Sequence, residues 1–580
     1  MSDEQRATSI TKTESMLRRI SSKYPRAFQV VMHGLFPLFF YFALFCVLTF
    51  PLMGRFFTHF FSDRRDGMQN VWNLWWVNLV VRRPDLYPSI WQTRLLHWPF
   101  GTTLVGHDLD AFNGYLAAGL LRFLPLQARY NAIVLFGFVI AGLTAYWLCY
   151  EVTRAYWPSI LAGCLYTFSS FHFMHVQAGH LEMVSMEWIP LFLLCWIVLL
   201  RRPGPWIAAG TAVVLWFVIL CSDYYFLYCI LAAILIFVWF AILRHGVRFV
   251  LKREYLIALA TFAAISLVLN GPLVGQVLIS NARDPLVGAH DPTIASLDLL
   301  ALFIPGTTWL FNDWTAAYRS SLAGGLKEGQ VYLSLSAFVL VAYLWIRQRR
   351  LDPVSRQQLA LWSAVGAFFF LLSLGPVLQA GGMAIWHRFM PYTLLARVLP
   401  FLVISGVPAR MTVMVILAAA MLSALGIREL FRATTRSRIV ALVLLGIFIF
   451  QSLPARIITT STSVPDYVTA LKRLPNDGGV LSLVPTNRGM ELYYQTVHGK
   501  PITFGYISRV PASVMAKDRE LSKAIAAQDY AALWNIYHIR YIIAGRQLPA
   551  HDAHQADIEL NAVYERNDIR IYRLGCTCEP

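Results

Sequence analysis

A chain of 580 residues that is 57% hydrophobic and 14% charged is too apolar to be a water-soluble globule. Its formal net charge of +17 would suit a nucleic-acid binder, but Lys and Arg stand in short clusters between apolar runs. That placement serves membrane topology and builds no basic patch interleaved with aromatics, so composition excludes a nucleic-acid partner and predicts a polytopic membrane protein.

Residues 1–33 carry Arg6, Lys12, Arg18, Arg19, Lys23 and Arg26 and have no short apolar core with a small-residue cleavage site. They read as a cytoplasmic tail before a retained anchor. The first span is predicted at 34–57. A polar and aromatic loop follows at 58–129, opening with Asp66 between Arg64–Arg65 and Gly67, then Trp72, Trp75 and Trp76. A carboxylate beside cations and amphipathic rings at a membrane surface can be a general base for a lipid-bound substrate. It can equally be an Asp–Arg surface pair above an interfacial Trp belt. Residues 111–124 are apolar but short and bounded by Pro125. They predict a helix on or dipping into the membrane, with a full span as the alternative.

Further spans are predicted near 131–150, 159–171, 187–200, 206–222, 224–243, 255–279, 330–346, 358–374, 409–426 and 438–454. Basic clusters at 201–202, 244–253, 347–356 and 428–438 follow alternate spans, whereas connectors 172–186 and 222–223 have no Lys or Arg. The positive-inside rule then yields eleven spans, with the N-terminus inside and the C-terminus outside, provided 111–124 does not cross. This makes 34–454 a transmembrane body with outer loops at 58–129, 280–330 and 375–408. Residues 455–580 form an outer α/β domain, with β-rich pieces at 479–483, 501–504, 540–543 and 568–574 and a helical stretch at 513–532. Cys576 and Cys578 form a CxC too sparse for a zinc site by itself.

Three segments carry chemistry. Connector 172–186 and its exit hold His172, His175, His180, Glu182 and Glu187. Ionisable groups at membrane depth are costly, so such a cluster marks function unless its members simply bond backbone and water. It can wall a sugar and acceptor pocket, and His180 with Glu182 could ligate a divalent metal, the one cofactor the residues admit. HxxH followed by HxE is not the HExxH of zinc enzymes, so metal dependence stays open. In loop 280–330, Asp298 before the apolar run 299–304 and Glu328 before a span are best placed for a pocket. Arg397 and Arg410 lie beside apolar, Pro-kinked segments, and a planar guanidinium grips phosphate bidentately. The same residues could instead contact bulk lipid headgroups.

Four phrases carry a family resemblance: RDGMQNVWNLWW (65–76), FSSFHFMHVQAGHLEMVSMEWIP (168–190), VPARM (407–411) and ELYYQTVHGKPITFGYISRVP (491–511). With the predicted topology they resemble the GT-C superfamily of membrane glycosyltransferases. That superfamily includes oligosaccharyltransferase catalytic subunits, protein O-mannosyltransferases and lipid A aminoarabinose transferases. The resemblance implies a polyprenyl-phosphate-linked sugar donor, a glycan, lipid or protein acceptor, and inversion at the anomeric carbon. It also implies a site on the outer face of a bacterial inner membrane. It places Asp66 as catalytic base or acceptor-binding carboxylate and Arg410 at the donor phosphate. His180-Leu-Glu182 replaces the usual second-loop acidic motif. Tyr493, Tyr494, Gln495, His498 and Lys500 fall in a motif to which no role attaches. The rival class is a transporter or flippase of a lipid-linked or anionic envelope precursor, which predicts an inverted repeat and mid-span charges that the chain lacks. An inert scaffold for envelope assembly is the third class.

Overall fold

The computed structural model describes residues 25–243, 246–288, 290–322, 328, 331–399, 402, 406–455, 457–545 and 558–576. The basic stretch 1–24, Arg244, Lys327 and Cys578 lie outside the described residues.

The protein is a multi-pass membrane protein. A helix overlaps each of the eleven apolar segments read from the sequence. Among the described residues, six helices are long and apolar enough to cross a bilayer: Arg26–Leu48, Leu126–Thr153, Asp223–Leu243, Arg253–Arg283, Pro408–Ala433 and Thr435–Ser452. The first ends at Leu48 rather than at 57, where the chain turns at Pro51 into the short 3-10 helix Leu52–Arg55. Two of the six serve as inner pillars. Burial covers 94% of the apolar window in Pro408–Ala433 and 72% in Leu126–Thr153, against 11% in Arg253–Arg283 and Thr435–Ser452. An apolar helix face that packs on no protein is stable only against hydrocarbon, so the poorly covered helices form the lipid-facing shell.

The structure sets aside two of the alternatives left open for loop 58–129. The Trp run does not form an interfacial belt. Helix Asp66–Arg82 turns Trp72 and Trp76 into the protein, fully buried and stacked 5.8 Å apart. Segment 111–124 holds a helix only at Ala111–Ala118, packed on Asp66–Arg82 and Pro205–Cys221. At ~1.5 Å per residue it is far too short to cross.

The C-terminal part contains a four-stranded mixed sheet. Ile539–Ala544 pairs in parallel with Gly479–Ser482 and antiparallel with Ile569–Cys576, which pairs antiparallel with Ile558–Arg566. The sequence missed the last of these strands. The helical stretch at 513–532 is two helices, Ala512–Ala526 and Tyr530–Asn535. This part shares one core with loop 58–129: Trp72, Trp76, Ile90 and Leu95 pack with Tyr467, Leu492, Tyr541 and Ile571. At its centre, buried Gln495 accepts from Trp72 Nε1 at 2.6 Å and donates to the carbonyls of Leu95 at 2.7 Å and Lys500 at 3.0 Å. Two-residue strand pairs add ties, His59–Phe60 with Thr460–Ser461 and Leu286–Val287 with Val510–Pro511.

Gln495→Leu keeps the volume but strips buried Trp72 Nε1 and the Lys500 carbonyl of their partner, while the Leu95 carbonyl keeps the Ile502 amide. Each orphaned group costs about 1–3 kcal/mol. The variant is expected to unfold several degrees below wild type when followed by tryptophan fluorescence. An unchanged midpoint would show that this bond does not hold the two parts together.

Candidate functional site

The site begins at the first turn of helix Asp66–Arg82. Asp63 Oδ1 accepts from the Arg65 and Gly67 amides, both at 3.0 Å, and satisfies donors that a helix start leaves open. Gly67 then meets the turn that ends helix Ser170–Ala178. Gly179 has φ +77°, and a Cβ there would lie 2.2 Å from the Gly67 nitrogen. A side chain on Gly67 would in turn lie 1.5 Å from Ser62 Oγ. Two residues without side chains thus let the backbones touch, and this sets Asp66 against His180.

From that contact runs a chain of alternating charge. Asp66 Oδ2 is 3.2 Å from His180 Nε2, and His180 Nδ1 is 4.0 Å from Glu328 Oε1. Glu328 receives Arg410 Nη2 at 2.8 Å and Nε at 3.3 Å. The Arg410 guanidinium also lies 4.6 Å from the centre of the Tyr224 ring. Tyr506, from the C-terminal part, donates its hydroxyl to Asp66 Oδ1. Burial, the largest influence, pushes the His180 imidazolium down, but Asp66 together with Glu182 and Glu328 outweighs it and leaves His180 raised. Burial likewise pushes the Glu328 carboxyl up, yet Arg410, then His180 and His175, hold it well below the usual range. Neighbouring Glu182 behaves oppositely. Burial, then the Asp108 charge, pushes it up to about 8, and it accepts from Asn70 Nδ2 at 3.3 Å.

These groups line a cavity of about 550 Å³, a size suited to small organic ligands. Of the residues picked from the sequence, Asp66, His180, Glu182, Asp298, Glu328 and Arg410 line it. Asp298 is engaged by protein donors: its carboxylate accepts from Leu300 N, Tyr318 Oη and Gly382 N at 2.8–2.9 Å. His175 stands behind the wall and bonds His180 through facing Nδ1 atoms 3.0 Å apart. The remaining three are not part of the cavity lining. His172 is held by the Thr167 and Val184 carbonyls and stacks 3.7 Å from Phe138. Glu187 is buried at the start of helix Trp188–Arg201. Arg397 is exposed on helix Pro391–Val398.

Sequence reasoning missed Gln69, Asn70, Asp108, Tyr506 and Ser508, which also line the cavity. Part of the signal was present. Asp66, Gln69, Asn70 and Asn73 recur at helical spacing through a segment otherwise rich in Trp and Val, so they share one polar stripe. Both His180 ring nitrogens face protein partners, and among the described residues no three His, Cys, Asp or Glu are grouped to hold an ion.

Residues 81–454 match the model of a family described as Domain of unknown function (DUF6311). No curated protein matches the chain. Among solved structures, the arabinofuranosyltransferase AftD from Mycobacteria is 14% identical at a TM-score of 0.50. The alignment covers 92% of this chain and 41% of AftD, so the chain spans about two-fifths of that protein. ArnT from Cupriavidus metallidurans, bound to undecaprenyl phosphate, is 11% identical at a TM-score of 0.47, over 92% of this chain and 97% of ArnT. The oligosaccharyltransferase of Archaeoglobus fulgidus is 14% identical at 0.43, over 81% and 63%. At such identities the likeness is one of fold, and the fold is that of the GT-C glycosyltransferases.

Glu182 gives the site a stability signature in pH. Its carboxyl titrates near 4.5 in an ordinary setting and about 8 here, so the folded protein keeps a proton that the unfolded chain releases. Stability from this group is full below about pH 4.5 and drains as pH rises toward 8. Glu182→Gln keeps the acceptor for Asn70 and removes the titration. The variant is expected to exceed wild type by several kcal/mol at pH 8 and to match it near pH 4.5. Equal stability at both pH values would show that Glu182 is not held protonated.

Proposed function

The chain belongs to the DUF6311 family, and we propose that it is a membrane glycosyltransferase that moves a sugar from a polyprenyl-phosphate donor to an acceptor on the outer face of a bacterial inner membrane. One observation carries this reading. A carboxylate, Asp66, and a guanidinium, Arg410, end one chain of ion pairs on the wall of a single cavity in a GT-C fold. Eleven crossings with the N-terminus inside, read from the basic clusters, put that cavity and the C-terminal part on the outer side.

The chemistry needs a base and an anion clamp. The acceptor hydroxyl gives its proton to Asp66 as its oxygen forms the new bond at the anomeric carbon. The bond from that carbon to the phosphate oxygen breaks, and its electron pair leaves on polyprenyl phosphate. Arg410 meets the charge that develops there. The leaving phosphate needs no proton donor, so one carboxylate suffices, and attack from the face opposite the phosphate inverts the centre. His180, whose charged form the Asp66 carboxylate favours, bonds Asp66 Oδ2 and keeps the base aimed.

Asp66→Asn is expected to cut release of polyprenyl phosphate from a polyprenyl-phosphate sugar by about 10²–10⁴, with donor binding retained. Arg410→Lys is expected to weaken donor binding about tenfold or more, because a point charge cannot replace the planar fork. Full turnover in Asp66→Asn would remove the base assignment. A protein that binds the donor lipid and moves it across vesicles without cleaving it would be a flippase.

A further inference from the structure

Tyr506, Ile507 and Ser508 of the C-terminal segment 505–511, beside Gly288 of loop 280–330, build part of the cavity wall, and its hydrogen bonds have a fixed direction. Ser508 and His107 are the centre. The Ser508 amide lies 3.2 Å from His107 Nδ1, and an amide N–H can only donate, so Nδ1 carries the lone pair. The ring proton is then on Nε2, 3.0 Å from Asn73 Oδ1. Burial keeps the ring neutral by lowering His107 to about 4. Asn73, committed as an acceptor, donates through Nδ2 to Asn70 Oδ1 at 3.2 Å and to the Asp108 carbonyl at 2.9 Å. Ser508 Oγ sits 2.9 Å from His107 Nδ1 and donates its proton there, while it accepts from the Asp108 amide at 3.3 Å. What Ser508 offers the cavity is therefore a lone pair.

Asp66 and Asp108 line the same cavity as Ser508, so its lining offers three hydrogen-bond acceptors: two carboxylates and the oriented Ser508 oxygen. Such a wall asks for a ligand with several hydroxyl donors. A peptide hydroxyl or a fatty alcohol supplies one, whereas a sugar ring supplies a row of them. Tyr506 supports the same reading. Burial and then Asp66 push its phenol well above the usual range, so it stays protonated and donates to Asp66 Oδ1. That is the bond an attacking hydroxyl must make.

We propose that Tyr506, Ser508 and His107 mark the acceptor subsite, that the acceptor is a carbohydrate, and that the Tyr506 hydroxyl holds the place of the attacking hydroxyl until the acceptor displaces it. This rests on the glycosyltransferase reading above. Ser508 acts by accepting from a hydroxyl of the acceptor next to the one that attacks. His107 is a positioning residue that keeps the Ser508 proton turned away.

The test uses the full chain in lipid nanodiscs, undecaprenyl-phosphate hexoses as donors, and three acceptor probes: methyl hexopyranosides, N-acetylserine methylamide and dodecanol. Transfer is expected to the methyl hexopyranosides. Ser508→Ala should raise the acceptor KM about tenfold with a smaller change in kcat, and Ser508→Thr, which keeps the hydroxyl, should recover most of it. Tyr506→Phe should lower the acceptor KM several-fold, since the acceptor no longer competes with the phenol. Transfer only to the peptide or the alcohol overturns the subsite, as does a rise in acceptor KM in Tyr506→Phe. So does a Ser508→Ala effect confined to kcat. If wild type releases no polyprenyl phosphate from any donor, the glycosyltransferase reading fails first and this inference falls with it.

Discussion

Four ionisable side chains stand in a row at the edge of an apolar body, and alternation of sign is what allows them to be there. A lone carboxylate or guanidinium so placed would face a heavy desolvation cost. Asp66, His180, Glu328 and Arg410 meet as minus, plus, minus and plus, so each charge is the solvent of the next. Order matters as well as sign. The two ends carry the carboxylate and the guanidinium that the proposed transfer would use, and the two middle members hold those ends apart.

This row joins four pieces of chain that are remote in sequence, and each is pinned by a different device. The glycine-to-glycine contact of Gly67 and Gly179 sets the distance between Asp66 and His180. Arg410 is placed by the 3-10 turn Pro408–Met411 at the head of the most buried helix, so the cation has a rigid base. Glu328 needs no comparable anchor, because the bidentate grip of Arg410 locates it. A fifth piece, segment 505–511, touches the row through Tyr506 and is located by the shared core around Gln495 and by the pairing of Val510–Pro511 with Leu286–Val287.

Much of this architecture was legible in the sequence, and for identifiable reasons. Apolar runs long enough to cross a bilayer report helices directly, because unpaired backbone is intolerable in hydrocarbon. Asp66, His180 and Arg410 stood out because charge beside such runs is rare. What misled was ambiguity in single residues. A Trp at a membrane boundary can anchor in headgroups or fill a core, and only the packing of loop 58–129 against the C-terminal sheet decided for Trp72 and Trp76. Glu187 and Arg397 are as polar as Glu182 and Arg410, and nothing local says which pair faces a common space. Tyr506 and Ser508 are ordinary residues in a loop. They lie more than 400 positions from Asp66 and His107, so only the tertiary pairing reveals them.

The contribution of segment 505–511 has a consequence for biogenesis. Synthesis runs from the N-terminus, so Asp66, His180 and Arg410 are made and inserted before the residues that cover them. A nascent chain therefore holds Asp66 by His180 but without the Tyr506 bond until the final part has emerged and docked on Trp72. The cavity lining is completed only at the last step of assembly, and a chain truncated ahead of that segment enters the membrane without Tyr506 and Ser508 in that lining.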